Sequence, residues 1–383
     1  MKTLNRILSI FVVFMIGVFS HTSINSIYYQ QGNYSTVYSM IGIVLVSLFL
    51  AINTNKKLTH FCYYWIVWIV WVLVEFLIGK TGGEAANIFR MTFCPFAFLA
   101  FYQIARSDPK FTRYIVLAII VIFIDACYLF FRYTLFADFT EILLIEQQKQ
   151  SNYIFWPFCC APFLLLIDKK LLKGLLLVLL LICSIISLKR SVIIGLVLMI
   201  PFLYDFKKNS EPRIIAVLLI VTIVAVLLSN YLSDYIELLN ARMGNLSEDD
   251  GSGRIPIFKR VWTGITNLDF FSLVVGRGFG KIVETGYSNA HNDILQTFYE
   301  YGIIGLFLYF ALLIRIVKNS RSIRIKNSIF KTGYIFTVII FLVMGMVSNL
   351  TVSFSFFVYL CAFWGLAEGY TLADKDDPTK MSQ

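Results

Sequence analysis

GRGFGKIVETGYSNAHNDILQTFYEYGIIG, residues 276–305, runs from a glycine-spaced polar loop straight into an apolar helix. It sets Arg277 between two glycines, places His291 beside Asn292, and puts Glu300 just ahead of the helix. Polar chemistry this dense, where a loop re-enters a bilayer, marks a candidate active site at a membrane surface.

The membrane follows from composition. Hydrophobic residues make up 58% of the 383-residue chain and charged residues 15%, with a mean hydropathy of +0.75. Soluble domains are roughly 45–50% apolar and about 25% charged. Spans of roughly 20 apolar residues are therefore the unit to count. They fall near residues 7–20, 37–51, 61–79, 86–104, 114–131, 153–167, 171–188, 192–206, 214–231, 303–317, 334–347 and 354–366. Strict alternation is scarce, which argues against a β-barrel. The expected fold is an all-α polytopic membrane protein of about 12 transmembrane helices. Lys2 and Arg6 precede the first apolar stretch like a signal peptide, but no small-x-small site follows before His21, so it is expected to stay as a first helix.

Lys and Arg set the orientation. With the N-terminus inside, the inner loops hold Lys56, Lys57, Arg106, Lys110, Arg113, Lys169, Lys170, Lys173, Lys207, Lys208 and Arg213, and later Lys318, Arg321, Arg324, Lys326 and Lys331. The first outer loop, 21–36, has neither Lys nor Arg. Both termini are then expected in the cytoplasm. The net charge of +10 is thus a topology signal; no basic soluble face with interleaved aromatics calls for nucleic acid. All seven cysteines (Cys62, Cys94, Cys127, Cys159, Cys160, Cys183, Cys361) fall in expected spans with no C-x-x-C, so neither a disulfide framework nor a zinc site is indicated.

The chain divides into helices 1–9 over 1–232, an external loop over 233–298, helices 10–12 over 299–370 and a cytoplasmic tail over 371–383. A loop of that length in a compact protein is usually functional. After SEDDGSGR (247–254), Ile255, Phe258, Val261, Trp262, Ile265 and Leu268 recur at helical spacing, with Pro256 suited to a first turn. This predicts an amphipathic helix on or near the bilayer. A smaller outer loop, 133–152, contains an amphipathic stretch at 139–148 that would suit a lid.

Two cations break the charge rule. Lys189 and Arg190 lie in SLKRS (187–191), a tight outer turn; an anion-binding role or snorkelling to lipid headgroups would each account for them. Within the spans, Arg90 would seek Glu75 or Asp125 as partner, or line a substrate cavity. Among the loop cations Arg242, Arg254, Lys259, Arg260, Arg277 and Lys281, glycine beside Arg254 and Arg277 gives the backbone freedom to approach a ligand. Gly-Arg-Gly also resembles a phosphate-binding element, though no strand and crossover helix surround it as in a dinucleotide fingerprint. With only three histidines, His21, His60 and His291, a histidine metal site is not expected. A neutral imidazole at His291 suits a general base, with Asn292 or a carboxylate to orient it.

Arg190 in its Lys-Arg turn, Ser252-Gly253-Arg254 before an aromatic helix, the glycine run 276–280, and His291-Asn292 followed by Glu300 and Gly302 together resemble the O-antigen ligase and polymerase superfamily. The resemblance implies a class C glycosyltransferase-like fold in the bacterial inner membrane, with a periplasmic active site in the loop between helices 9 and 10. It implies an undecaprenyl-diphosphate-linked oligosaccharide as donor, and as acceptor either the next lipid-linked repeat or lipid A–core. A chain-length regulator protein is a further expected partner. The residues it points to are His291, Arg190 and Arg277 as catalytic, and Arg254, Lys189, Asn292, Glu300 and Arg90 as substrate-binding. Glu300 would orient His291 or cap its helix.

The chemistry suits these residue types. Breaking the bond between an anomeric carbon and a diphosphate leaves a stable anion, so the site needs cations more than a strong acid. Arg supplies bidentate contacts that Lys cannot. Many class C enzymes carry an acidic metal-binding pair in the first outer loop, but 21–36 has no Asp or Glu. Inverting catalysis with no metal or cofactor is therefore expected, and Asp249-Asp250 is expected to be a solvated turn. Polymerase is placed ahead of ligase, on chain length alone. A lipid-linked oligosaccharide transporter is the competing class; it would distribute charge along the spans and break helices at midplane, whereas the polar residues here concentrate in one loop and one turn. A purely structural scaffold would leave the Arg/His set unexplained.

Overall fold

The computed structural model describes residues 2–29, 34–54, 58–80, 85–134, 151–187, 189–203, 254–287, 289–326, 328–351 and 353–376. Among them there is no strand, and thirteen α-helices account for the fold. These are α1 (Lys2–Tyr29), α2 (Tyr34–Thr54), α3 (His60–Leu77), α4 (Ala85–Ser107), α5 (Thr112–Thr134), α6 (Phe155–Leu164), α7 (Lys170–Ser187), α8 (Arg190–Leu203), α9 (Arg254–Thr266), α10 (Phe270–Val275), α11 (Asp293–Lys326), α12 (Ser328–Val347) and α13 (Phe354–Asp376). Eight are long and apolar enough to cross a membrane: α1, α3, α4, α5, α7, α11, α12 and α13. The chain is an all-α polytopic membrane protein.

The core forms where α4 meets α13. Gly365 and Gly369 lie one turn apart on α13, and a Cβ at either would sit 2.3 Å from a carbonyl of α4, that of Phe98 or Tyr102. Lipid offers no hydrophobic drive between helices, so small residues that admit close backbone contact do that work. At this seam Phe61 lies tilted against Phe98, with ring centroids 4.6 Å apart, and against Trp364, at 6.1 Å. The Trp364 indole N–H donates to Thr337 Oγ1 at 2.7 Å, which satisfies a polar atom that lipid could not.

Three expectations change. The apolar run 153–167 is not one long helix: a 3-10 turn over Ser151–Ile154 leads into α6, a 10-residue helix about 15 Å long, and every residue of α6 is buried in protein. Arg90 does not bridge to Asp125, whose carboxylate pairs with His21 Nδ1 at 3.0 Å. Nor is Glu75 its hydrogen-bond partner, since both Glu75 oxygens are buried without one among the described residues. The expected span 214–231, the lid at 139–148 and Asp249-Asp250 lie outside the described residues. The last helix continues to Asp376, past the expected start of the tail at 371. All seven cysteines are buried and free.

Two contacts join helix ends at one end of the bundle. Lys80, after α3, reaches Ser272 of α10. Asp293, at the start of α11, reaches the turn between α12 and α13. At the opposite end, Arg6 pairs with Asp108 at 2.7 Å.

Candidate active site

The site is organised by a break in α11. Gly302 has φ 63° and ψ −160°, so 293–301 and the span that follows are two helices end to end. A break leaves carbonyls with no partner one turn ahead. Here the preceding loop supplies the donors: Arg277 N–H donates to Tyr299 O at 2.9 Å, and Gly278 N–H to Glu300 O at 2.8 Å. The approach is too close for side chains. A Cβ at Gly276 would lie 2.1 Å from Glu300 O, one at Gly302 2.4 Å from Val274 O, and one at Gly278 1.8 Å from Lys80 O. This changes the reading of Gly-Arg-Gly. The amides of 277 and 278 are taken up by the protein's own backbone, and the glycines serve that contact instead of cradling a phosphate.

Arg277 itself is at the rim. Its side chain is 41% exposed and grips Glu284 through Nε and Nη2 at 3.1 and 3.0 Å. Lys281 Nζ joins the same carboxylate at 3.3 Å. Burial pushes the Glu284 carboxyl up, but hydrogen bonds and charge from Arg277 and Lys281 outweigh it and hold it below the ordinary value.

His291 lies deeper, half-buried in the turn before α11. It is the one non-glycine residue with positive φ among those described, at 52°, a conformation in which His is over-represented but which still carries strain. Burial holds its imidazole below the ordinary histidine value, and the positive charges of Arg254 and Lys189 lower it further. Three of the expected residues, far apart in sequence, thus come together. Arg254 opens α9, and Lys189 immediately precedes α8, accepting from Val192 and Ile193 N–H through its carbonyl. Cations at helix N-termini work against the helix dipole, which a bound anion would offset. Arg190 is the first residue of α8.

Asn292 is placed as a helix cap. Its Oδ1 accepts from Ile294 and Leu295 N–H at 3.0 and 3.1 Å, and its Nδ2 donates to Met346 O at 3.2 Å. Its side chain anchors the His291 turn to α12 instead of holding the imidazole. Glu300 is buried inside the short helix 293–301, where Oε1 accepts from Gln296 Nε2 at 2.8 Å. Arg90 lines a small cavity of about 30 Å³ together with Tyr64, Trp65, Trp68, Tyr301 and Thr351.

Two residues escaped the sequence reading. Asp293, fully buried, accepts from Leu350 and Thr351 N–H at 2.8 and 3.2 Å, and so ties the start of α11 to the α12–α13 turn. Gln296, also buried, accepts from Ala290 N–H at 2.8 Å. Its four-residue spacing to Glu300 was the only available signal. On α9, Val261 and Ile265 pack against Ile282, Ala290 and Tyr299 with Leu268 beside them, whereas Ile255 and Trp262 are exposed. The apolar stripe expected on one face is divided between the protein and its surroundings.

Residues 175–310 match the family model described as O-Antigen ligase. The matched segment starts in α7, holds Lys189, Arg190, Arg254, Arg277, His291 and Glu300, and ends within α11; Arg90 lies outside it. No curated protein matches the chain. Over those residues the chain is similar to the O-antigen ligase family.

Proposed function

From the similarity of residues 175–310 to the O-antigen ligase family, we propose that this chain transfers a glycan from an undecaprenyl-diphosphate-linked donor on the periplasmic side of the bacterial inner membrane. The observation that carries the reading is the meeting of His291 with Arg254 and Lys189 at the end of the bundle where the polar loop lies. An imidazole held below the ordinary histidine value by burial and by the charges of Arg254 and Lys189 suits a base working next to a departing diphosphate.

In this scheme Arg254, Lys189 and Arg190 hold the diphosphate. The acceptor hydroxyl attacks the anomeric carbon from the face opposite the leaving group, as its proton passes to His291 Nδ1 or Nε2. The bond from the anomeric carbon to the diphosphate oxygen breaks, and its electron pair stays on the polyprenyl diphosphate. The anomeric centre inverts. The scheme calls on no metal: cationic side chains neutralise the departing charge. Arg277 contributes at the rim, and reaches an incoming phosphate only by exchanging it for Glu284.

Polymerase, with the next lipid-linked repeat as acceptor, is favoured over ligase, with lipid A–core as acceptor. The test is a glycan gel of cells whose native copy carries His291→Ala. Core capped with a single repeat identifies a polymerase, and unattached polymerised glycan identifies a ligase. A normal ladder, with the variant present in the membrane, removes His291 from the chemistry and sinks the reading.

A further inference from the structure

His291 is held in its unusual backbone conformation by groups on both sides, and one of them has no other evident work. On the C-terminal side, Asn292 is pinned to the start of α11 and to Met346. On the N-terminal side, Ala290 is fully buried in a loop, so its N–H must find an acceptor inside the protein. Gln296 Oε1 is that acceptor, at 2.8 Å.

The backbone donor settles which end of the amide faces it: the oxygen must point to Ala290 and the NH₂ to Glu300. Gln296 Nε2 indeed lies 2.8 Å from Glu300 Oε1. Glu300 is in turn fixed by the helix break, because its own carbonyl accepts from Gly278. A continuous chain of contacts therefore runs from the glycine loop through Glu300 and Gln296 to the peptide beside His291.

We propose that Gln296, backed by Glu300, is a positioning residue for His291, fixing the left-handed turn from which the imidazole projects. The inference rests on the reading of His291 as the base. Gln296 touches no reacting atom; it acts by holding the peptide before His291. Displacing a reacting group by about 1 Å costs on the order of 100-fold in rate, so a loosened turn should be felt in turnover before binding.

The test uses the full chain in lipid nanodiscs with a polyprenyl-diphosphate-linked oligosaccharide donor and its acceptor. Gln296→Leu should lower kcat by at least about tenfold while donor KM stays within about threefold. The acid limb of the kcat profile should move to higher pH, because a displaced imidazole leaves the burial and the Arg254 and Lys189 charges that depress it. Asp293, two residues after His291, already faces the 350–351 amides and does not compete. The exchanged pair Gln296→Glu with Glu300→Gln keeps the acceptor for Ala290 N–H, the 296–300 hydrogen bond and the total charge, giving up only the 3.4 Å contact from Ile282 N–H, and should recover most of the turnover.

Wild-type kcat and pH limb in Gln296→Leu overturn the proposal. So does a kcat loss that follows thermal stability, leaves the limb in place and is not recovered by the exchanged pair, since that describes packing alone. Failure of the underlying reading looks different: His291→Ala would then turn over normally, whatever Gln296 does.

Discussion

Arg277 and Arg254 look alike in sequence, each beside glycine, yet the fold uses the glycine loop of the first and the His291 corner near the second in opposite ways. At 276–278 the amides already bond to the carbonyls of Tyr299 and Glu300, and the Arg277 guanidinium already grips Glu284. That loop is a brace. At His291, Arg254 and Lys189 act at a distance as positive potential on a half-buried ring. The lesson is that an arginine beside glycine marks a ligand site only if the fold has not assigned its amides and charge elsewhere.

The sharpest way to break this comparison is inside the brace. Gly278→Ala, with φ 111° and Lys80 O 1.8 Å from the new Cβ, should abolish most folded protein in the membrane. Gly280→Ala meets nothing within 4 Å and should cost only about 1–2 kcal/mol of conformational strain; detergent-melt curves of the two separate contact from conformation. Equal damage from both would mean the close approach to Lys80 is unimportant.

At the other corner, His291→Ala should lower turnover by roughly 10²–10⁴ while donor binding by the purified chain persists. Loss of binding in parallel would make the ring a ligand contact instead of a base. Arg254→Ala comes next, with a loss of about 10²–10³ expected for removing a charge partner of the leaving group, and Arg254→Lys should recover only part of it. The sign of the accompanying pH effect is fixed. Arg254 depresses the His291 pKa, so its removal should raise that pKa, and the acid limb of kcat/KM should move to higher pH. Arg277→Ala should be mildest, below about tenfold in turnover, because the exposed pair it forms with Glu284 is worth at most about 1 kcal/mol. A loss equal to that of Arg254 would erase the distinction between brace and site.

The fold was largely legible because a bilayer demands long apolar helices, and composition reports those directly. What apolarity cannot tell is whether a short stretch faces lipid or protein. Within 153–167, Pro162 lies near the end of a helix that stops at Leu164 and is wholly enclosed by its neighbours. At the site, residue types were readable and their partners were not. His291 stood out as an isolated imidazole, whereas the pairing of Asp125 with His21, the capping role of Asn292 and the work of Gln296 each depend on which helix ends meet. Gly302 looked like the approach to a helix and proved to be a break within one, because a glycine's φ is not written in its neighbours.

The seven thiols have a practical consequence for handling the molecule. All are buried and unpaired, so a water-borne maleimide has little to attack in the native chain. A cysteine placed at Asn289, which is exposed two residues before His291, would be the preferred point of attachment for a spectroscopic reporter without first rebuilding the interior. Such a reporter could follow the loop as lipid-linked glycan arrives.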